Sequence, residues 1–116
     1  MQYMLLVYDD AKAWPELSEQ EFKGIYEEYA AVSRDKATKH SAQLKGTEEA
    51  KTVRVSNGDT LVTDGPFAET KETLGGFYLI EADSLDEAID WAARIPAAGS
   101  GTIEVRPVVE QPGNGA

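Results

Sequence analysis

Two short runs, Tyr3-Met4-Leu5-Leu6-Val7-Tyr8 and Phe77-Tyr78-Leu79-Ile80, are apolar throughout. Successive side chains of a strand point to opposite faces, so strands of this kind ask for cover above and below. A sheet built on two of them must hide both of its faces. With 116 residues, the chain has room for one domain and few elements to spare for that task.

The elements available as cover are marked by their caps. Trp14-Pro15 breaks the chain, and Ser18 and Glu21 then stand at capping-box spacing, with Leu17 and Phe22 placed as a hydrophobic staple. Phe22, Ile25, Tyr26, Tyr29 and Val32 follow three and four apart and predict a helix with one apolar stripe, ending between Asp35 and His40. Ser84 and Glu87 mark a second helix whose stripe is Leu85, Ala88, Ile89, Ala92 and Ile95, with Pro96 as its stop. Thr38–Ala50 is polar, with Gly46 as its breaker, and reads as a connecting loop. Thr52–Val55 and Thr60–Thr63 are β-rich runs joined through Asn57-Gly58, a pair that tolerates the positive φ of a tight hairpin turn. Asp64-Gly65-Pro66 ends the second run, because proline has no N–H for a ladder. Gly75-Gly76 precedes a strand rather than a helix, with no following Gly-Lys-Ser/Thr, which fits a bulge or close backbone approach and excludes a phosphate loop. Ala97–Gly101 reads as a loop, Thr102–Arg106 as the last strand continuing toward Val108-Val109, and residues 110–116 as a frayed tail beyond a single domain over 1–109.

The order β-α-β-β-(β)-α-β predicts an α+β ferredoxin-like sandwich with both helices on one sheet face. The other face is left without cover from its own chain. A second copy, sheet against sheet, is the economical solution, so the expectation is an obligate homodimer.

Composition narrows the function classes. Eleven Lys and Arg against 21 Asp and Glu leave a net charge of −10, which disfavours nucleic acid and anionic membrane surfaces as partners. No cysteine is present, which removes disulfides, thiolate catalysis and Cys-based metal sites. One histidine cannot build a multi-His centre within one chain. No basic leader or long apolar span opens the sequence, so cytoplasmic is the default expectation.

At Asp64-Gly65-Pro66-Phe67-Ala68-Glu69-Thr70-Lys71-Glu72, followed by Leu74-Gly75-Gly76-Phe77, the sequence resembles the DGPF-motif branch of the YCII-related family. The opening Tyr3–Tyr8, the stretch Ala88–Pro96 and the final Ile103–Pro107 are similar to it as well, so the likeness covers nearly the whole chain. The resemblance implies the dimeric α+β barrel fold and a small protein of unsettled biochemical role. Some members resemble, in gene setting, partners of extracytoplasmic-function sigma factors, which implies a regulatory protein partner. Better-studied relatives are thought to pair a His in the first helical region with an Asp in an Asp-Pro step after the second helix. Here that step reads Ile95-Pro96, and the one histidine, His40, lies in or beyond the end of helix one. Hydrolase or dehalogenase-like chemistry on such a pair is therefore not supported.

The candidate site residues cluster in the matching run. Asp64 at a strand end serves as a ligand-binding or acid–base carboxylate, or as an Asx turn capping Gly65-Pro66. Phe67, Glu69, Lys71 and Glu72 border a cleft beside it, with Lys71 holding an anionic ligand, or else form a solvated loop with Lys71 paired to a neighbour. Asp64, Glu69 and Glu72 carry no EF-hand pattern, so no metal site and no cofactor is assigned. His40 is a weak candidate, more simply a surface or helix-end cation. The aromatics Tyr3, Tyr8, Trp14, Phe67, Phe77, Tyr78 and Trp91 are core or wall a pocket between subunits. The leading expectation is small-ligand binding in a cleft near the Asp64–Glu72 loop, in an accessory or regulatory role. The alternative is a cofactor-free enzyme using Asp64 as general acid–base, and a third reading is an interaction module meeting a basic partner through its acidic surface.

Overall fold

Strand β1 (Gln2–Asp9) lies inside a four-stranded antiparallel sheet in the computed structural model, which describes residues 1–10 and 18–110. The elements after it are α1 (Glu19–Arg34), β2 (Thr38–Gln43), a 3₁₀ turn (Thr47–Glu49), β3 (Lys51–Ser56), β4 (Asp59–Asp64) and β5 (Thr73–Glu81). Then come α2 (Leu85–Ala93), the one-turn α3 (Ala97–Ser100) and β6 (Thr102–Pro107). The main sheet has the order β2-β5-β1-β6, and β3 and β4 form a separate two-stranded hairpin. Set the hairpin aside, and the order β1-α1-β2-β5-α2-β6 is consistent with the ferredoxin-like expectation.

Register shows which face is which. Tyr3 pairs with Ile80, Leu5 with Tyr78 and Val7 with Gly76 across β1 and β5, while Leu5 and Val7 pair with Val105 and Ile103 on β6. These residues share a face, and Val32 of α1, Ala88 and Ala92 of α2, Ile95 and Ala97 join them in one buried core. Both helices therefore cover the same side. The opposite face carries Met4, Leu6 and Tyr8 from β1 with Phe77 and Leu79 from β5, all half-buried. Arg106, Glu104 and Thr102 of β6 continue that face, with His40 and Ala42 on the β2 side. The apolar runs thus alternate, sealed on one side and uncovered on the other.

Three sequence expectations are corrected. Thr38–Ala50 is not a plain loop: it holds β2 and the 3₁₀ turn. Thr-Lys-His-Ser-Ala-Gln lacks an apolar alternation because β2 is an edge strand held by backbone bonds to β5, and charged or polar edges are what soluble sheets use there. His40 consequently sits on β2 opposite Leu79 rather than at a helix end. Within Ala97–Gly101, expected as a loop, Ala97–Ser100 form α3, with Pro96 entering that turn at φ −53°, a value that suits the start of a helix. In α2 the buried face is Ala88 and Ala92, with Trp91 packed beside it and Ile95 buried just beyond the helix, whereas Leu85 and Ile89 are about half exposed. The small alanines let the helix lie close to the sheet and turn its bulkier residues outward.

In α1, too, the stripe is only partly used. Val32 is buried and Tyr29 packs on the core, while Phe22 and Tyr26 remain exposed. The capping box is complete: the Glu21 N–H donates to Ser18 Oγ at 3.1 Å and the Ser18 N–H to Glu21 Oε1 at 3.3 Å. At the start of α2, Ser84 Oγ accepts from the Glu87 N–H, but the Glu87 carboxylate takes the Asp83 N–H instead of that of Ser84. Ser18→Ala is expected to lower stability by about 1 kcal/mol, read from urea unfolding, since one orphan N–H of the first turn loses its acceptor. The Trp14-Pro15 break, the Leu17 half of the staple and the tail over 111–116 lie outside the described residues.

The hairpin is the unusual part. Asn57 at φ 51° and Gly58 at φ 83° form its tight turn as the Asn-Gly pair predicts. Every residue of β3 and β4 except Thr52 is exposed. The Gly65 N–H donates to the Ala50 carbonyl at 2.8 Å, and Thr52 Oγ1 to the Gly65 carbonyl at 2.8 Å, which closes the base of the arm. With this arm the radius of gyration is 16.4 Å, against about 13–14 Å for a compact chain of this length.

Candidate functional site

The polypeptide leaves the main sheet at β2, runs through the 3₁₀ turn into the arm, and returns at the start of β5. Where exit and return meet, a cleft of about 560 Å³ opens. Tyr8 from the end of β1 and Thr73 and Leu74 from the start of β5 form its floor. Leu44, Lys45, Gly46, Thr47, Glu49 and Ala50 form the wall on the exit side. Pro66, Phe67, Ala68 and Thr70 form the wall on the return side.

Local backbone chemistry explains how these segments meet. The Leu44 N–H donates to the Gly75 carbonyl at 2.9 Å, which extends β2–β5 pairing into the cleft wall. Gly75 is the extra residue where the β1–β5 register shifts, Val7 facing Gly76 and Tyr8 facing Leu74. This bulge places Tyr8 and Leu74 side by side on the uncovered face. A Cβ on Gly76 would come within 2.8 Å of the Ala42 carbonyl oxygen, so glycine is what allows β2 to approach there. Both readings of Gly75-Gly76, bulge and close approach, hold. Gly65 at φ +91° turns β4 into Pro66 and so aims Phe67 at the cleft.

Most of the lining is apolar. Lys45 Nζ lies 3.9 Å from Glu49 Oε1, so the cationic and acidic side chains of the wall face each other. Thr70 Oγ1 donates to the Glu72 carbonyl at 2.6 Å. The hydroxyls of Tyr8, Thr47 and Thr73 have no hydrogen-bond partner among the described residues. Away from the cleft, burial raises the Tyr29 and Tyr78 phenols above their ordinary range, and the Met1 amine is raised chiefly by its hydrogen bond to Glu81.

The structure distributes the sequence candidates unevenly. Phe67 is in the cleft wall, with its ring largely in solvent. Asp64 lies at the end of β4, strongly exposed, and its Oδ1 accepts from Lys51 Nζ across the hairpin. Glu72 Oε1 accepts from Thr102 Oγ1 at 2.8 Å, tying the return segment to β6. Glu69 and Lys71 are exposed and make no ion pair among the described residues. Among those residues no group of three or more His, Asp or Glu side chains gathers as metal ligands, and no helix is long and apolar enough to cross a membrane. Of the aromatics, Tyr3 and Tyr78 are core, Trp91 packs against it with the Arg94 guanidinium 4.4 Å from its ring centre, and Tyr8 lines the cleft. The residues that sequence reasoning passed over, Leu44 to Ala50, lie in a polar stretch whose only local signal is Gly46.

Residues 1–111 match the model of the YCII-related domain. The chain belongs to the YCII-related family. It is also 44% identical over 114 residues to an uncharacterised protein of Rhizobium meliloti (strain 1021), R00369, an alignment covering 93% of this chain and 92% of that one. Within this YCII-related chain, Ile95 stands after α2, only 1% exposed and packed in the core. A carboxylate at that point would be buried among apolar side chains, and His40 lies on the sheet edge instead of on α1.

Proposed function

We propose that this YCII-related protein binds a small ligand in the cleft between Tyr8 and Phe67 and works as a homodimer in an accessory or regulatory role. The observation that carries the reading is a cleft of about 560 Å³, within the usual size of small-molecule sites, walled by Phe67 and Pro66 of the Asp64–Glu72 run. Asp64, Glu69, Lys71 and Glu72 are not among the residues that line the cleft, so any contact they make with the ligand would lie outside its walls. Support for the homodimer comes from the uncovered sheet face, where Met4, Leu6, Phe77 and Leu79 form an apolar patch continuous with Tyr8 and Leu74 at the cleft. A second sheet laid on that face would complete the dimeric α+β barrel that the resemblance to the DGPF-motif branch implies. That resemblance is also what supports a cytoplasmic regulator with a sigma-factor-linked partner. Binding is favoured over acid–base catalysis by the position of Asp64, which is strongly exposed, pairs with Lys51 across the hairpin and does not line the cleft.

The experiment is an amide NMR screen of the ¹⁵N-labelled protein against a small fragment library. Ligands are expected to move the Gly46, Thr47, Thr73 and Leu74 amides together. Shifts confined to the β3–β4 arm or to α2, with the cleft amides still, would contradict the reading.

A further inference from the structure

We propose that the cleft selects an uncharged, largely apolar molecule bearing a hydroxyl, carbonyl or amide group, an inference that rests on the ligand-binding reading above. The walls set the first part. Tyr8, Leu44, Pro66, Phe67 and Leu74 offer ring and aliphatic surface, which rewards a ligand for the apolar area it removes from water. The charges set the second. Lys45 and Glu49 are the charged side chains of the lining, and they face each other at 3.9 Å. Both side chains are largely exposed, so their opposite charges offset one another in the lining and neither is a buried counter-ion. An anion also enters against a net charge of −10. A charged ligand therefore gives up hydration on the apolar walls without a desolvated partner, while an uncharged one does not.

The polar end is set by the hydroxyls. Those of Tyr8, Thr47 and Thr73 carry no protein partner among the described residues, and each can donate or accept. Tyr8, on the cleft face beside Leu74, and Thr47 of the exit wall suit one or two neutral polar atoms on the ligand. They offer no fork of donors of the kind that holds a carboxylate or phosphate.

The test uses three molecules of nearly one shape: benzamide, benzoate and benzamidine, neutral, negative and positive at pH 7. Each is titrated into the ¹⁵N-labelled full chain at moderate salt, and Kd is read from the Gly46, Thr47, Thr73 and Leu74 amides. Benzamide is expected to bind about tenfold more tightly than either charged analogue, the margin expected from a poorly compensated charge. Thr47→Val, which keeps the side-chain shape, is expected to weaken benzamide several-fold. Phe67→Ala, at an exposed ring with no core to disturb, is expected to weaken all three. Benzoate or benzamidine binding in the cleft as tightly as benzamide overturns the proposed class and leaves ligand binding standing. The class is also wrong if all three leave the cleft amides unmoved while the broader fragment set shifts them. If neither set moves them, the ligand-binding reading itself falls.

Discussion

In the homodimer proposed above, Leu6→Glu is expected to part the two copies into folded monomers, seen as a halving of mass by sedimentation or light scattering. Leu6 sits in the middle of β1 on the uncovered face, paired across the sheet with Phe77 on β5 and Glu104 on β6. In the single chain it is half-buried, so a glutamate there can reach water and the sealed side of the sheet is untouched. Between two sheets packed as proposed, the same carboxylate would leave water for a patch built on Met4, Phe77 and Leu79. A two-fold interface meets every substitution twice, so each dimer buries two of them. Several kcal/mol of uncompensated desolvation raises the dimer Kd on the order of a thousandfold or more. Far-UV circular dichroism unchanged beside a halved mass is the expected pair of results. A Leu6→Glu protein that stays dimeric would mean that the sheet face is not where the copies meet.

Ile80→Ala carries the largest expected loss of fold stability, about 3 kcal/mol, from the methyl groups removed and the cavity they leave. Ile80 has no exposed surface and sits between Tyr3 of β1 and Thr38 of β2 in the register of the main sheet. Since domains of this kind are stable by only about 5–15 kcal/mol, such a loss should move the urea midpoint by well over 1 M. Val55→Ala supplies the contrast. Val55 is 69% exposed on the arm, and its truncation should cost no more than about 0.5 kcal/mol. Equal losses at the two positions would show that the arm is packed as firmly as the core.

Features written in a few neighbouring residues were legible before the structure. The Ser18 cap, the Ser84 cap and the Asn57-Gly58 turn each depend on one to four residues, and each forms where the spacing puts it. Features fixed by distant neighbours were not. β2 has no pattern of its own, because a polar edge strand takes its conformation from β5. The α2 stripe offered Leu85 and Ile89 as well as Ala88 and Ala92, and only the distance between helix and sheet selects the alanines. The cleft is the extreme case. Tyr8, Leu44, Phe67 and Leu74 come from four separate segments; Tyr8 and Phe67 stand among the aromatics that suggest a pocket wall, Leu74 lies in a matching run, and Leu44 carries no signal. Asp64 drew notice for the same run, yet the strand that carries it points it toward Lys51.

The arm also bears on how such a sheet can assemble. β2 and β5 are neighbours, but residues 44–72 lie between them, and bringing the ends of so long a flexible segment together has an entropic cost that grows with its length. A hairpin with an Asn-Gly turn zips on the microsecond scale from contacts close in sequence. Once β3 lies along β4, the bond from Gly65 to Ala50 has drawn the two ends of the arm together, and only the brief stretches on either side still have to close. An element whose side chains stay in solvent thus shortens the path by which the edge strand finds its place.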